Sequence, residues 1–317
     1  MGMVVVMIVN HVMSNDVYSG IFDAILRYFK IYSGVQNIVT DRPVKKADIY
    51  HYHRPNLESK LPDNSVVTVH HDLSDPDGWL GESKFVERYR EAGHVICLNQ
   101  GQKKRLGQLD IHKTTVVPHG YRMDIFEPEV KRCVKNRKLV FGLISKRYGR
   151  QVKGEAYLYE LVRRINPELV SFILVGEGRS EDAIQLRKLG FEVKVYERLP
   201  YRMFSMLYSN LDALLMLSYH EGGPANIPEA IASATPVIGF PVGMVADIVR
   251  DGKEGILLSS NVDLDGEMIS NILSDPDQIS MINREMVRNN SIDRVLTWQE
   301  SVEMNVAVYH HLLNGKS

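Results

Sequence analysis

Short apolar segments alternate with helical segments along the first part of the chain. Apolar and β-branched residues cluster at five places and predict strands at 4–10, 47–53, 65–71, 94–99 and 114–118. Helices are predicted between them, at 19–32, 83–93 and 100–109. Continuous Val and Ile runs with helices between them favour a parallel sheet that is covered on both faces.

The same alternation restarts after a polar stretch. Residues 127–138 (EPEVKRCVKNRK) carry many charges and no apolar period, so we interpret them as a linker. Further strands are predicted at 139–145, 170–178, 191–197, 211–217, 236–240 and 255–259, and helices at 154–166, 179–189, 201–209, 227–233 and 244–250. Two successive doubly wound halves are the simplest account of this order. The tail, 262–314, is predicted to be helical.

Composition limits the class of protein. A chain of 317 residues suggests two domains, and a hydrophobic content of 44% is enough to build their cores. The formal net charge is −1, which gives no reason to expect a nucleic-acid partner. No run of about 18 apolar residues is present, so no membrane-spanning helix is expected. The apolar N-terminus lacks a basic region and a cleavage site and is interpreted as a buried strand.

Cysteine usage and charge clusters indicate the compartment. Cys97 and Cys133 are the only cysteines, which do not make a disulfide framework, so a reducing cytoplasm is expected. The cluster Lys103, Lys104 and Arg105 is interpreted as a solvated helix face rather than a membrane patch. A peripheral contact with a membrane is left open.

The stretch SYHEGGPANIPEAIASATPVIGFPVG (218–243) places two carboxylates around an exposed loop. Glu221 follows a predicted strand, and Glu229 lies in the first turn of the next predicted helix. Between them, Gly222 and Gly223 let the backbone turn tightly and approach a ligand. The composition of this loop therefore predicts a binding site.

The start of the following helix is the candidate anion site. Asn226 is predicted as the N-cap, which leaves the amides of Ala225, Asn226 and Ile227 as donors to an anion. A carboxylate beside an anion would repel it, so Glu229 is interpreted as an acceptor for hydroxyls such as those of a ribose. The alternative is a capped helix whose acids only complement the helix dipole.

These motifs resemble the retaining family 4 glycosyltransferases, which have the GT-B fold. Two acids separated by seven residues and followed by A-x-A-x-x-x-P-V-I resemble the family signature. Four other stretches resemble family motifs: VVPHGYRMDIF (116–126), ILVGEG (173–178), RLPYRMFSMLYSNLDALLMLSYHEG (198–222) and PVGMVADIVRDGKEGILL (241–258). The sequence departs from the family pattern at Met244 and Asp247, where the family has Gly and Glu.

The resemblance implies an α/β protein of the GT-B fold, with two Rossmann-like doubly wound domains facing a cleft. An acceptor domain is expected at 1–135 and a nucleotide-sugar domain at 136–292. Residues 293–317 are expected to form a helix that packs back toward the first domain. The resemblance also implies a hexosyltransferase of glycan or glycoconjugate synthesis. It would move a sugar, with retention, from a nucleotide diphosphate sugar (UDP- or GDP-linked) to an acceptor hydroxyl on a glycan, a lipid-linked molecule or a small molecule.

Specific residues match the family's diphosphate site. Arg147 and Lys153, in SKRYGRQVKGEAY (145–157), match the Arg and Lys that hold the diphosphate, and Arg150 is a rival for the arginine position. Fixed cations at this place stabilise the charge of a leaving diphosphate. The alternative is a solvated basic loop. Gly176 lies in the glycine turn of the second half. Ser19 and Gly20 are what remains of a glycine-rich loop that touches the donor phosphate; the alternative is that Gly20 only starts the helix.

The donor sugar is expected to contact one acidic residue and one histidine. The resemblance places Glu221 near the donor sugar's hydroxyls. VVTVHHDL (66–73) resembles the family's V-V-T-V-H-D-L, whose histidine approaches the donor sugar. Counting from the strand selects His70, and counting back from Asp72 selects His71. The alternative is a packed, hydrogen-bonded histidine without a ligand.

No metal or other cofactor is expected. His51, His53, His70 and His71 lie at strand ends, but no carboxylate-rich helix of ligand spacing accompanies them, and the family works without a bound metal. Two other activities stay open. One is a nucleotide-sugar epimerase of the same fold, for which Asp72 is the only obvious extra carboxylate. The other is a non-catalytic GT-B subunit that binds a partner.

Overall fold

The computed structural model describes residues 6–13, 20–131 and 137–315. The chain divides into two compact units, Met1–Gly120 with Leu296–Ser317, and Tyr121–Val295. The sequence predicted the corresponding boundaries after residues 135 and 292. The predictions for residues 14–19, including Ser19 in the remnant glycine-rich loop, and for Cys133 lie outside the described residues.

The first unit is built on a six-stranded parallel sheet in the order β2-β1-β3-β4-β5-β6. Its strands are β1 (Ile8–Val12), β2 (Gln36–Thr40), β3 (Ile49–Tyr52), β4 (Ser65–Val69), β5 (His94–Cys97) and β6 (Thr114–Val116). Its helices are α1 (Gly20–Tyr32), α2 (Val86–Glu91), α3 (Gln100–Gln108) and α11 (Trp298–Asn314).

Alternate residues of this sheet enter two separate apolar layers, because successive side chains of a strand point to opposite faces. One layer joins Val9, Ile49 and Val66 to residues of α1 and α11. The other joins residues of β4 and β5 to Phe85, Tyr89 and Leu106. Within the first layer, the rings of Tyr28 and Trp298 stack at 4.6 Å, so α11 packs on α1. A capping box between Thr297 and Glu300 fixes where α11 begins.

The second unit repeats this architecture with a second six-stranded parallel sheet, in the order β12-β11-β10-β7-β8-β9. Its strands are β7 (Leu139–Ile144), β8 (Val170–Val175), β9 (Glu192–Tyr196), β10 (Ala213–Met216), β11 (Val237–Gly239) and β12 (Gly255–Leu257). Its helices are α4 (Glu155–Val162), α5 (Arg179–Lys188), α6 (Phe204–Ser209), α7 (Asn226–Ala232), α8 (Val245–Ile248), α9 (Val262–Ser274) and α10 (Asp277–Arg288).

The predicted α/β class with two parallel sheets is confirmed. One strand was missed: β2 reads QNIVT, is only partly buried and pairs with β1 alone at the sheet edge, so it carries little apolar signal. Cys97 is buried, and burial raises the pKa of its thiol to about 12, as expected for an inert thiol. Within the described part of the chain, no helix combines the length and apolarity needed to cross a membrane.

Candidate active site

The order of strands in the second unit reverses between β7 and β10. Strands β8 and β9 extend the sheet on one side of this pair, and β11 and β12 extend it on the other. In open parallel sheets, ligands bind outside the carboxyl ends of the strands at such a reversal. The loop after β7 carries Arg147 and Lys153, and the loop after β10 carries Glu221, so three of the predicted site residues follow these two strands.

Lys153 and Glu221 form a direct ion pair between the two loops. Their side chains are only 16% and 11% exposed, so solvent screens this pair weakly. The backbone supports it, because the amide of Tyr219 donates to the carbonyl of Val152 at 3.0 Å. The loops that carry the cation and the first acid are therefore held together by contacts within the protein.

Two glycines are required for this arrangement. Gly154 has a φ of +78°, and a Cβ built on it would lie 1.9 Å from the carbonyl oxygen of Leu217. Gly243 has a φ of +53°, and its Cβ would lie 2.7 Å from the carbonyl oxygen of Glu221. A side chain at either position would push the Lys153 or Glu221 loop away, because both conflicts are with backbone atoms.

Arg147 is held by acids of the neighbouring helix α5. Its Nε donates to Asp182 at 3.2 Å, its guanidinium pairs with Glu181 at 2.8 Å, and the Tyr159 hydroxyl also donates to Asp182. The Arg147 side chain is 17% exposed, and its amide donates to the carbonyl of Glu177 at 2.9 Å. Its guanidinium is thus oriented by groups of the protein itself.

Beneath Arg147 lies a fully buried ion network that the sequence did not predict. Arg179 is 0% exposed and its Nη1 donates to Asp182 at 2.7 Å and to Glu155 at 3.2 Å. Its other nitrogens donate to the carbonyl and hydroxyl oxygens of Ser145, each at 2.8 Å. Because Ser145 directly follows β7, this network fixes the start of the Arg147 loop. The only sequence signal for this network was an acidic residue in the first turn of α4 and another in the first turn of α5.

The helix after the Glu221 loop begins differently from the prediction. Ala225 occupies the N-cap position and makes no side-chain cap, so the prediction of Asn226 as N-cap was wrong. The Asn226 amide group instead donates to the carbonyl of Ile144 at 3.0 Å, because the end of β7 lies within its reach. The backbone amide of Ile227 donates to Pro224 at 3.2 Å and is engaged in a turn.

The remaining glycines of the prediction occupy two places. Gly222 and Gly223 lie in the loop between β10 and α7, next to Glu221. Gly176 follows β8, and its amide donates to the carbonyl of Tyr196 at 2.9 Å. Its φ is +139°, and a Cβ added to it would lie 2.3 Å from the carbonyl oxygen of Ser145. Gly176 therefore lets β8 end directly beside the start of the Arg147 loop.

Glu229 lies in a different environment from Glu221. It is buried in α7, where Oε1 accepts from the Tyr201 hydroxyl at 2.6 Å and Oε2 from the Tyr208 hydroxyl at 3.1 Å. Burial raises the pKa of Glu229 to about 7, although both tyrosine hydrogen bonds act in the opposite direction. The two acids therefore differ in partner: Glu221 meets a cation, and Glu229 meets hydroxyl donors. Neither tyrosine was identified from the sequence.

In the first unit, His70 and His71 have unlike surroundings. Nε2 of His70 lies 3.0 Å from Nδ1 of His53, and its ring meets the edge of Phe22 at 4.7 Å. His71 is buried against Phe85, with ring centroids 4.1 Å apart, and among the described residues neither of its ring nitrogens has a hydrogen-bond partner. Burial lowers the pKa of both histidines, that of His71 to about 4.

Three further candidates of the sequence analysis are Asp72, Gly20 and Arg150. The Asp72 carboxylate accepts from the amide of Ser74 at 2.8 Å and from its hydroxyl at 2.7 Å. Gly20 is the first residue of α1 and is exposed. Arg150 is exposed in the loop that also carries Arg147.

Three buried histidines form the group in the described ranges that stands close enough to hold a metal ion. One ring nitrogen of each of His11, His51 and His53 lies within 4.8 Å of the others. His51 and His53 were among the histidines considered in the sequence, whereas His11 lies inside β1 and was not. That no metal is required stays a prediction.

Comparisons with known proteins agree with these observations. The family profile of the glycosyl transferases group 1 matches residues 128–294, just over half of the chain. Trehalose synthases from Thermococcus litoralis and Pyrococcus furiosus are each 25% identical over 219 residues, which cover 61% of this chain and 52% of the relative. The chain thus spans about half the length of the curated relatives that it matches.

Solved structures share the fold. Sucrose-phosphate synthase from Thermosynechococcus elongatus matches with a TM-score of 0.76 and 14% identity, over 98% of this chain and 100% of that one. HepE from Anabaena, solved in complex with UDP and glucose, matches with a TM-score of 0.71 and 16% identity, over 95% and 98% of the two chains. The lipopolysaccharide outer core galactosyltransferase WaaB matches with a TM-score of 0.69 and 15% identity, over 96% and 99%. The predicted GT-B fold class is confirmed by these likenesses.

Proposed function

The chain belongs to the glycosyl transferases group 1, and we propose that it is a retaining hexosyltransferase that uses a nucleotide diphosphate sugar as donor. The acceptor is a hydroxyl of a glycan, a lipid-linked molecule or a small molecule. The observation that carries the proposal is the Lys153–Glu221 pair, located where the strand order of the second sheet reverses.

The cations of this site suit a diphosphate. Lys153 offers a compact charge, and Arg147 offers a planar guanidinium whose direction is fixed by Asp182. As the bond between the sugar and the diphosphate breaks, negative charge accumulates on the diphosphate oxygens. Fixed cations stabilise that charge in the transition state without reorganising. We propose that these two side chains take the role that a metal ion has in other enzymes, so that no cofactor is needed.

The acids suit the hydroxyl groups of the donor. Glu229 already accepts from two tyrosine hydroxyls, and a ribose diol would donate in the same way. Glu221 is the partner of Lys153, and a diphosphate that bound Lys153 would free its carboxylate for hydroxyls of the sugar. HepE was solved with UDP and with UDP-glucose, which favours a UDP-linked donor for this chain as well.

Retention is attributed to attack on the face from which the leaving group departs. The acceptor oxygen bonds to the anomeric carbon as the bond from that carbon to the diphosphate breaks, and the departing diphosphate oxygen takes the acceptor's proton. A double displacement would need a free carboxylate as nucleophile. Glu229 is hydrogen-bonded to two tyrosines, and Glu221, once the diphosphate releases it from Lys153, is assigned to hydroxyls of the sugar, so neither is proposed as the nucleophile.

A nucleotide panel tests the donor. Thermal stability is measured with UDP, GDP and ADP and with their glucose conjugates, for the natural protein and for Glu229→Ala. A ligand at a hundred times its Kd adds about 2.7 kcal/mol of stability. A shift with one nucleotide that is lost in the variant supports the proposal, and the absence of any shift contradicts it.

Transfer is then measured with the donor that binds. The anomeric configuration of the product, read by proton NMR, must equal that of the donor. Inversion would exclude the retaining mechanism. Donor binding without transfer to any acceptor class would favour a non-catalytic binding subunit, and a donor epimerised in place would favour the epimerase.

A further inference from the structure

The first unit also has a point where its strand order reverses, and histidines occupy it. Strands β1 and β3 are neighbours, with β2 beyond β1 and β4 beyond β3. His11 in β1 lies opposite His51 in β3. His53 and His70 follow the carboxyl ends of β3 and β4. A row of imidazoles therefore runs from inside the sheet to the edge at which this fold binds ligands.

The row begins at Asn37, whose amide has one orientation. Its Nδ2 lies 3.3 Å from the carbonyl oxygen of Phe29, 3.0 Å from that of Val35 and 2.6 Å from the hydroxyl of Ser33. Carbonyl oxygens only accept, so the amide nitrogen must face them. The Oδ1 of Asn37 consequently faces Nε2 of His11, at 3.0 Å.

This orientation determines the proton positions along the row. An amide oxygen accepts, so Nε2 of His11 carries the proton, and in a neutral ring its Nδ1 is then an acceptor. Nε2 of His53 lies 3.1 Å from that acceptor and must donate to it. His53 is left with an accepting Nδ1, to which the Nε2–H of His70 donates a hydrogen bond at 3.0 Å. Any reversed ring would set two N–H groups, or two lone pairs, against each other.

The rings are neutral at physiological pH. Burial lowers the pKa of His11 to about 4 and those of His53 and His70 well below the ordinary value. The neighbouring His51 is held separately, with Nδ1 2.7 Å from the Tyr309 hydroxyl and Nε2 2.7 Å from the Thr68 hydroxyl. The rings of His51 and His53 stack with their centroids 4.5 Å apart. Among the described residues, His51 makes no hydrogen bond to a member of the row.

We propose that Asn37, His11 and His53 are positioning residues that hold His70 in a single tautomer, with the proton on Nε2 and the lone pair on Nδ1. His70 then accepts a hydrogen bond from a hydroxyl of the sugar substrate and does not donate one. The identity of this substrate rests on the proposed function, whereas the tautomer itself does not. The consequence is selectivity: a substrate hydroxyl is bound, and a fluorine or hydrogen in its place is not.

Nitrogen NMR tests the tautomer directly. Two-bond correlations between ring protons and nitrogens in ¹⁵N-labelled protein distinguish a protonated nitrogen from a bare one. The signals of His70 are identified by their loss in His70→Gln. The expected result near pH 7 is a protonated Nε2 and a bare Nδ1. A protonated Nδ1, or averaging between both forms, would overturn the proposal. The measurement needs His70→Gln for the assignment but no variant of Asn37, His11 or His53.

A variant of Asn37 tests whether this residue sets the tautomer of His70. Asn37→Leu removes the acceptor for His11 and is expected to give a mixture of His70 tautomers. His51→Gln is the matched control, because it alters a buried histidine on the same face but outside the row. An unchanged His70 pattern in Asn37→Leu would contradict the role of Asn37.

Kinetics and metal binding separate the remaining outcomes. Asn37→Leu should raise KM for the sugar substrate about three- to tenfold with a smaller change in kcat, the size of one hydrogen bond. If no transfer occurs while His70 shows the expected tautomer, the proposed function fails and the tautomer assignment stands. Stoichiometric uptake of zinc chloride by the natural protein, lost in His53→Phe, would show that these imidazoles bind a metal instead and would overturn the proposal.

Discussion

Lys153 and Glu221 form an ion pair that joins the loop after β7 to the loop after β10. The pair brings together a cation and an acid that are 68 positions apart in the chain. In the proposed donor site, a diphosphate would have to compete with Glu221 for the same ammonium group. The first prediction follows from that competition.

Removing the cation should weaken nucleotide binding. Lys153→Ala is expected to raise the Kd for the nucleoside diphosphate about ten- to a hundredfold, because a charge-assisted hydrogen bond contributes about 1.5–3 kcal/mol. Glu221→Gln removes the competing charge and should leave that Kd unchanged or lower it while reducing transfer. Lys146→Ala is the control, since Lys146 is an exposed lysine of the same loop that pairs with Glu177. Equal effects of Lys146→Ala and Lys153→Ala, measured by calorimetry, would argue against the assigned site.

The position of Glu221 should depend on Gly243. Gly243→Ala is expected to weaken donor binding about tenfold or more, because its Cβ would meet the Glu221 backbone at 2.7 Å. Gly252→Ala is a matched control: its φ is +72°, so the backbone strain is comparable, but no atom lies within 4 Å of the added Cβ. Similar losses of binding in both variants would indicate backbone strain rather than displacement of Glu221.

Glu229 should make the protein respond to pH. Its pKa in the folded protein is about 7, above the ordinary value of 4.5, so between these values the folded state holds the extra proton. Stability of the second unit should therefore fall as pH rises from 4.5 to 7 and level off above it. Nucleotide affinity should change in the opposite direction, because the ionised carboxylate is the better acceptor for a ribose diol. Both slopes are expected to flatten in Glu229→Gln; an unchanged affinity profile would remove Glu229 from the ribose site.

The histidines of the first unit should make its stability depend on pH in the opposite direction. The pKa values of His11 and His71 in the folded state are about 4, below the ordinary 6.5, so the unfolded state binds protons first on acidification. Stability should fall from pH 6.5 toward pH 4, by up to about 1.4 kcal/mol per pH unit for each such histidine. Hydrogen exchange measured against pH should show β1, β3 and β4 opening in this window. A flat profile for these strands would contradict neutral buried imidazoles.

The network beneath Arg147 should matter for stability. Arg179→Met leaves Glu155 buried without the cation that it pairs with, while Asp182 keeps Arg147, and the variant is expected to cost about 3–5 kcal/mol. Arg163→Met is the control, because Arg163 forms an exposed pair with Glu160 whose loss costs about 1 kcal/mol or less. Urea denaturation of both variants measures the difference, and equal midpoints would show that the buried network adds nothing.

Much of the fold was predictable because its strands are buried on both faces. Runs such as VSFILV in β8 are apolar at nearly every position, and that signal is local. The edge strand β2 was missed for the converse reason, since its QNIVT sequence is half exposed and pairs on one side only. Asn226 was predicted as an N-cap from local preference, but the carbonyl of Ile144, 82 positions away, takes its side chain.

The sequence by itself determined the two parallel sheets, the order of their helices and the residues that follow the strand ends, since all of these depend on neighbouring positions. Only the tertiary structure decided which of those residues meet. Lys153 pairs with Glu221, Glu229 with two tyrosines and His70 with His53, because the order of strands places distant chain segments side by side. Hydrogen bonds and ion pairs act over a few ångströms of space, so their partners are set by that order and not by spacing along the chain.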